Sequence, residues 1–294
     1  MDYRYFLAVF DAGSLAGAGE RLHIAPSAVS RQITILEDTI GVPLFERKPR
    51  GMQPTAAGLA LAGHARRASL EEQNLLSELR AGDYPGAKTL RLVSTEGLSR
   101  YFLPHALIEH YRQHPAFHYV LEVMTPHECV EKVIRGDADV GLTFSTAPIE
   151  GVDIQYSGTS AIRAVMRVDH PLARHTQLAL QTLTPFPLAL TPKGTTQRQL
   201  FDLVCQREGL TFQHVVTCNY SGAIHEFVRH SDAIAFGGAI SLRADETDDL
   251  ISVPLTNPQF ADRSVQILTM PKRVLPASIE SFIQTLIGCL KSVS

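Results

Sequence analysis

The chain has 294 residues, of which 45% are hydrophobic and 19% charged, and its formal net charge is −3. This length suits about two or three units of ordinary size, and the apolar content is sufficient for buried cores. No apolar run approaches the roughly 18 residues that a membrane helix needs, and no basic-then-apolar signal segment opens the chain. We therefore expect a cytoplasmic protein without a membrane partner.

The charge is unevenly distributed along the chain. Residues 1–67 hold eight Lys or Arg and six Asp or Glu, a net charge of +2, so the remainder carries −5. A nucleic-acid contact in the first part would therefore depend on a few placed side chains and on dimerisation, because no broad basic surface is present.

The start of the chain has the pattern of a winged helix-turn-helix. A first helix is predicted from about Asp2 to Ala12 and ended by Gly13, and Ser14 can cap the second helix. Pro26 suits the first position of a third helix, and Gly41 suits its end. The apolar residues of this third helix recur on one face, at Val29, Ile33, Leu36 and Ile40.

The opposite face of the third helix carries polar side chains, Ser27, Ser30, Arg31 and Thr34. Arg can bind guanine O6 and N7 in the major groove, and Ser can contact base edges or phosphates. A solvent-exposed helix is the plainer alternative.

A basic hairpin is predicted directly after the third helix. Two extended arms, Val42–Phe45 and Met52–Pro54, enclose three basic residues, Arg47, Lys48 and Arg50. Such a hairpin beside a DNA-reading helix is typical of a wing that contacts phosphates or the minor groove. A solvated loop is the alternative.

The LysR-type transcriptional regulators have an N-terminal signature that this chain resembles in the tract AGERLHIAPSAVSRQITILEDTIGVPLFER. The similarity continues through an Arg-Gly turn into Thr55-Ala56-Ala57-Gly58, and it is dense over roughly the first 80 residues. It implies that Pro26, Ser27, Ser30 and Arg31 approach the major groove, and that Arg47, Lys48 and Arg50 form the wing.

The predicted architecture is an α+β multidomain protein. A winged helix-turn-helix domain would span residues 1–58, and a linker (dimerisation) helix with a hinge would span 59–86. A two-lobed α/β effector domain, similar to periplasmic binding proteins, would span 87–294. Lobe I would comprise about 87–160 and 268–294, and lobe II about 161–267.

The linker is predicted as one long helix because the stretch from Thr55 to about Arg80 contains no Pro. A stripe of small and apolar residues follows it in steps of four and three: Leu61, Ala65, Ala68, Leu75 and Leu79. This pattern predicts a coiled-coil seam, and hence a homodimer or homotetramer. Packing of the stripe on its own domain is the alternative. Gly82–Gly86 would be the hinge.

Strands and helices alternate in the second half of the chain, which favours two mostly parallel sheets with helices on both faces. The predicted strands are Leu90–Ser94, Tyr119–Val123, Asp139–Phe144, Leu188–Thr191, His214–Cys218 and Ala233–Phe236. The final helix should be docked because one face is apolar, with Ile279, Phe282, Ile283, Leu286 and Leu290.

Two such lobes imply a ligand cleft between them, where the strands end and helices begin. The candidate effector residues, by position in the family, are Thr95, Glu96, Thr125, Phe144, Thr195, Thr196 and Ser221. Each Thr alone could equally be a helix N-cap. A carboxylate at Glu96 would oppose a purely anionic effector and favour a ligand with an amine or hydroxyl group.

We expect neither a cofactor, a metal site nor an enzyme activity. The four cysteines, Cys129, Cys205, Cys218 and Cys289, are scattered and are predicted to be free, mostly buried thiols. The P-loop, GxSxG and HExxH signatures are missing from the sequence.

The favoured interpretation is a sequence-specific DNA-binding transcriptional regulator controlled by a small-molecule effector. Its partners would be double-stranded DNA, the effector and further copies of this chain through the linker helix, with RNA polymerase as another candidate. The alternative is a cytoplasmic small-molecule-binding α/β protein whose N-terminal helices serve only association.

Overall fold

The computed structural model describes residues 3–49, 51–81, 88–241 and 249–293. The chain divides into two compact units, residues 1–86 and 87–294. The predicted hinge, residues 82–86, and the predicted wing residue Arg50 lie outside the described residues.

The first unit is a winged helix-turn-helix followed by a long helix. Its elements are α1 (Arg4–Ala12), α2 (Leu15–Leu22), α3 (Pro26–Ile40), β1 (Phe45–Lys48), β2 (Gly51–Pro54) and α4 (Ala56–Ala81). Ser14 Oγ caps α2 by accepting a hydrogen bond from the Gly17 N–H at 3.1 Å. Gly41 ends α3 with a φ of 83°, a left-handed conformation that glycine adopts without strain. The predicted cap and stop are both present.

The wing begins later than the sequence predicted. Its first strand starts at Phe45, so the predicted arm Val42–Phe45 is wrong except for its last residue. The reason is Glu37, whose Oε1 accepts hydrogen bonds from the N–H groups of Leu44 (2.7 Å) and Phe45 (3.1 Å). These bonds, together with burial of both side chains, anchor the segment on α3 before the hairpin starts.

The first turns of α4 complete the core of the first unit. Ala65 is fully buried and Leu61 partly buried in the same cluster as α1 and α3. Arg66, only 8% exposed, pairs with Asp11 across 2.5 Å and lies over the Phe10 ring at 5.2 Å. These helical turns therefore pack on the N-terminal core, beyond the predicted end of the helix-turn-helix domain at residue 58.

The same packing changes the interpretation of the predicted seam. Its first two residues, Leu61 and Ala65, cover their own domain, as the alternative held. Ala68 is half-buried, and the side chains of Leu75 and Leu79 lie outside the described residues.

The second unit consists of two lobes. Its elements up to the first lobe crossing are β3 (Lys88–Ser94), α5 (Glu96–Ser99), α6 (Phe102–Gln113), β4 (Phe117–Val123), α7 (Pro126–Arg135), β5 (Val140–Ser145) and β6 (Asp153–Thr159). Those of lobe II are β7 (Arg163–Arg167), β8 (Leu188–Leu190), α8 (Thr196–Glu208), β9 (His214–Thr217), α9 (Ser221–Arg229), β10 (Ala235–Gly237) and β11 (Leu250–Pro254). Three short 3₁₀ turns lie at Leu180–Leu183, Ala239–Ser241 and Pro258–Ala261. The chain then returns to lobe I with β12 (Ser264–Thr269) and α10 (Ala277–Val293).

Each lobe has a mostly parallel sheet with one reversed strand. In lobe I the order is β4-β3-β5-β12-β6, and only β12 is antiparallel to its neighbours. In lobe II, β7 is antiparallel to β10 and β11, while β8 is parallel to β9 and is bridged in parallel to Ile234. The reversed strands are β12 and β7, which each follow a crossing of the chain from one lobe to the other. They begin at the cleft, whereas the other strands that border the cleft end at it.

The lobe boundary differs from the predicted one. Since β12 pairs with β5 and β6 from Ser264 onward, residues 264–267 belong to lobe I. The two crossing segments meet through hydrogen bonds from Ser160 N–H to Arg263 O (2.8 Å) and from Ile162 N–H to Phe260 O (2.9 Å). Lobe I thus comprises 88–159 and 264–293, and lobe II comprises 163–260.

The last helix is docked, as predicted. Its apolar face, Ile279, Phe282, Ile283, Leu286 and Leu290, is almost fully buried in the lobe I core. All four cysteines are free, but only Cys129 is fully buried, so the expectation of mostly buried thiols is wrong. Among the described residues, no helix is long and apolar enough to cross a membrane.

Candidate nucleic-acid interface and ligand cleft

Helix α3 has one buried face and one polar face. Val29 and Ile33 pack into the core, while Ser27, Arg31 and Thr34 are exposed and Ser30 is half-buried. Pro26 occupies the first turn, where its missing N–H leaves no bond unmade. The structure therefore gathers the predicted groove-facing residues on one helix surface.

The hydroxyl of Thr34 is already satisfied within the helix. Its Oγ1 donates to the Ser30 carbonyl oxygen at 3.1 Å, one turn earlier. With its proton engaged, the hydroxyl can still accept a hydrogen bond, and the methyl group of Thr34 offers an apolar contact.

The wing is joined to this surface by a basic side chain. Arg47 Nη2 donates to Ser30 Oγ at 3.4 Å, which places the wing guanidinium beside the polar face of α3. Lys48 instead pairs with Glu46 at 2.6 Å, and this hydrogen bond holds the pKa of the Glu46 carboxyl below its usual range. Both side chains are solvent-exposed, so a competing phosphate can break the pair at little cost.

A cavity of about 870 Å³ lies between the two lobes of the second unit. All seven predicted effector residues line it: Thr95, Glu96, Thr125, Phe144, Thr195, Thr196 and Ser221. They converge because the parallel strands of both lobes end at the cleft and the following helices begin there.

Two of the cleft threonines, Thr125 and Thr195, have complete capping roles. Thr125 forms a capping box with Glu128, giving and taking hydrogen bonds at the start of α7. Thr195 Oγ1 accepts from the Arg198 N–H at 3.2 Å at the start of α8. For these two residues the N-cap alternative accounts for the observed hydrogen bonds.

Thr95 differs from Thr125 and Thr195. It is 7% exposed, and its Oγ1 forms no hydrogen bond with any part of the chain that the structure describes. A buried hydroxyl without a partner is unfavourable, and here it lines the cleft.

Glu96 does not stand free at the cleft mouth. Its Oε1 accepts hydrogen bonds from the Ser221 N–H at 3.0 Å and from the Ser221 hydroxyl at 2.7 Å. Ser221 is the first residue of α9, so the positive end of that helix compensates the carboxylate charge. Glu96 is therefore bound to the start of α9, and its expected effect on an anionic effector stays a prediction.

Arg263 is the cleft residue that the sequence did not reveal. It is 3% exposed, and its Nε donates to the Ser160 carbonyl oxygen at 2.8 Å. Its guanidinium lies over the Phe144 ring at 4.2 Å, and burial lowers its pKa to about 9. A lone Arg before a strand carries no distinctive spacing, and only the crossing of the lobes brings it into the cleft.

A second contact between the lobes involves Arg100 and His225. Arg100 Nη1 lies 2.7 Å from His225 Nδ1, and His225 also lines the cleft. Because Arg can only donate, this nitrogen of His225 must be the unprotonated one.

Metal and thiol chemistry find little support in the described structure. Within residues 3–49, 51–81, 88–241 and 249–293, no group of three or more His, Cys, Asp or Glu side chains could hold a metal ion. Burial raises the pKa of the Cys129 thiol to about 12 and that of Cys205 to about 11. Thiols with such pKa values form little of the reactive thiolate at neutral pH.

Comparisons with known proteins agree with both parts of the structure. Residues 1–59 match the family model of the bacterial regulatory helix-turn-helix protein, lysR family, and residues 85–288 match the LysR substrate binding domain. Among curated proteins, the HTH-type transcriptional regulator CbbR of Xanthobacter flavus is 27% identical over 277 residues, covering 90% of this chain and 80% of the relative.

Solved structures show the same fold over nearly the whole chain. A full-length variant of OxyR from Pseudomonas aeruginosa is 19% identical with a TM-score of 0.64, covering 96% of this chain and 92% of that protein. Full-length CbnR in complex with its target DNA is 21% identical with a TM-score of 0.57, covering 98% and 100%.

The matched family models cover the helix-turn-helix and the two lobes in the order in which the structure places them. The chain therefore belongs to the LysR family and is a DNA-binding transcriptional regulator with an effector-binding domain.

Proposed function

We propose that α3 enters the major groove and that Ser27, Ser30 and Arg31 contact base edges or phosphates there. The observation that carries this proposal is the exposed polar face of α3, opposite the buried Val29 and Ile33. Arg31 supplies the bidentate donor that recognises guanine, and the Thr34 methyl suits the methyl group of thymine. Pro26 fixes the start of the helix.

The wing supplies contacts that do not depend on base sequence. Arg47 lies within reach of the same surface through Ser30, and Lys48 can exchange Glu46 for a phosphate. We place Arg50 in the same role from its position between the two wing strands in the sequence. Such phosphate contacts hold the reading helix in register without specifying sequence.

The remaining parts of the proposal concern regulation. A small molecule binds in the cleft without being chemically converted, and the protein acts in the cytoplasm as a homodimer or homotetramer joined through α4. A ligand that prefers one arrangement of the lobes shifts the population of regulator states, and DNA geometry changes with it. RNA polymerase is the candidate partner for the transcriptional output.

The test is genomic-fragment binding with the purified full chain. Wild type should enrich a few sites containing two-fold symmetric half-sites. Arg31→Ala should weaken binding to them by about 1–3 kcal/mol. Arg174→Ala removes an exposed arginine of lobe II and serves as the matched control.

Unchanged site enrichment by Arg31→Ala would overturn the assignment of α3 as the reading helix. Enrichment of nothing by folded wild type at moderate salt would contradict the proposed contacts of α3 with specific sites.

A further inference from the structure

Arg263 carries a buried positive charge without a compensating carboxylate. Its hydrogen bonds go to the carbonyl oxygen and hydroxyl of Ser160, which are both uncharged. No carboxylate among the described residues forms an ion pair with it. Buried charges are ordinarily paired, because removing one from water is unfavourable. The charge of Arg263 could therefore be neutralised by an anion that enters the cleft.

Thr95, whose hydroxyl is buried, borders the same cavity. Thr95 and Arg263 both line the cleft, and Thr95 Oγ1 has no hydrogen-bond partner in the described chain. A hydroxyl donor and a guanidinium together suit an oxyanion, which accepts from both.

The carboxylates that line the cleft are already engaged. Glu96 accepts two hydrogen bonds at the start of α9, and Glu128 accepts from both the N–H and the hydroxyl of Thr125 at the start of α7. The cleft also contains Lys193, an exposed cation that pairs with no described carboxylate. Lys193 and Arg263 are therefore the cleft cations that no described carboxylate pairs, whereas both cleft carboxylates have hydrogen-bond donors.

The space beside the guanidinium depends on a glycine. A Cβ atom at Gly238 would lie 2.5 Å from Arg263 Nη2 and 3.0 Å from Ser160 Oγ. Any side chain at residue 238 would therefore push the guanidinium out of its present position. Around it the lining is apolar, with Phe144 and Phe236 among the residues that border the cavity.

We propose that the cleft ligand is a small organic acid whose carboxylate binds Arg263 and Thr95 and whose apolar body contacts Phe144 and Phe236. The inference rests on the proposed function, since it names the chemical class of the effector that the cleft receives. Arg263 lies where the chain crosses between the lobes, so the acid would bind beside a crossing segment.

The test compares acids with their neutral amides at equal ionic strength. The full chain is titrated with butyrate, hexanoate and cyclohexanecarboxylate, and with the three matching amides, by calorimetry and thermal unfolding. At least one acid should bind and raise the Tm, and its amide should bind at least tenfold more weakly.

Three variants assign the preference to the proposed contacts. Arg263→Gln should remove the preference for acid over amide, and Arg174→Gln should keep it as the matched surface control. Thr95→Val should weaken acid binding several-fold while leaving the amides unchanged. Gly238→Ala keeps the positive charge but displaces the guanidinium, so it should also weaken acid binding even if Arg263→Gln fails to fold.

Three results would overturn the proposal: equal binding of acids and amides, an acid preference that survives in both Arg263→Gln and Gly238→Ala, or no binding of any acid. Amides binding as well as acids would leave the cleft as an effector site and remove only the acid assignment. Loss of site-specific DNA enrichment in the genomic-fragment experiment would instead contradict the proposed function, and acid binding would be unaffected by it.

Discussion

Glu96 of lobe I and Ser221 of lobe II are joined by two hydrogen bonds to a single carboxylate oxygen, at 3.0 and 2.7 Å. One comes from the backbone N–H and the other from the hydroxyl, so the carboxylate serves as a cap for α9 supplied by the other lobe. This contact stabilises the present arrangement of the lobes and lies inside the ligand cavity. The residue that joins the two lobes therefore also lines the cavity between them.

Replacing Glu96 with Gln should loosen this contact. The amide oxygen can still accept a hydrogen bond, but the interaction of a negative charge with the start of α9 is lost, at about 0.3–1 kcal/mol. Hydrogen exchange at the Ser221 amide should become roughly two- to fivefold faster. Glu109→Gln, at a surface pair on α6, is the control, and equal exchange in both variants would contradict the predicted role.

Asp11 should be needed for the stability of the N-terminal unit. Asp11→Asn removes the charged partner of Arg66, which is itself 8% exposed and would remain buried without compensation. We expect a loss of about 1–3 kcal/mol in the free energy of unfolding of this unit. Urea denaturation measures it, with Asp38→Asn at an exposed position of α3 as the control. Equal stability of both variants would show that the pair contributes nothing.

The free energy of unfolding should decrease as the pH falls, because His110 is buried in its neutral form. Burial, with a smaller effect of His114, lowers the pKa of His110 to about 4, and the residue is 1% exposed. In the unfolded chain the pKa is about 6.5, so between pH 6.5 and pH 4 only the unfolded state takes up this proton. The contribution of His110 is therefore intact above pH 6.5 and declines as the pH falls, by up to about 3 kcal/mol.

Unfolding free energies measured from pH 7 to pH 4 test this prediction. His110→Gln should be less stable at pH 7, because the 2.6 Å contact with the Tyr119 hydroxyl is lost, but it should lose less stability on acidification. His105→Gln, at an exposed position on the same helix, should follow the wild-type curve. If the unfolding free energy of His110→Gln decreased with pH as steeply as that of the wild type, His110 would be excluded as the source of the pH dependence.

Arg47 should contribute to affinity without contributing to sequence preference. Arg47→Ala removes one phosphate contact, so the slope of log K against log salt should decrease by about 0.9. Binding to specific and non-specific DNA should weaken by the same factor, as measured by fluorescence anisotropy across a salt series. A larger effect on specific DNA would instead indicate that Arg47 reads a base.

The local features of the helix-turn-helix could be predicted from sequence because they depend on nearby residues. Ser14 caps α2 three residues before its donor, and Gly41 ends α3 where its left-handed φ is needed. Alternating strand and helix patterns likewise located most elements of the lobes. The cleft threonines were predicted from the resemblance to the family, at positions that follow predicted strands.

Long-range contacts decided the rest. The position of the wing depends on the hydrogen bond between Glu37 and Leu44. The packing of α4 on the N-terminal core depends on the ion pair between Arg66 and Asp11. Sequence alone identified residues that line the cavity but not the partner of Glu96, because its carboxylate is bound by Ser221, 125 positions away in the chain. Arg263 became a cleft residue only when the chain crossed back between the lobes. Hydrophobic periodicity and capping act over a few residues and can be read along the chain, whereas the pairing of buried charges depends on which distant segments fold against one another.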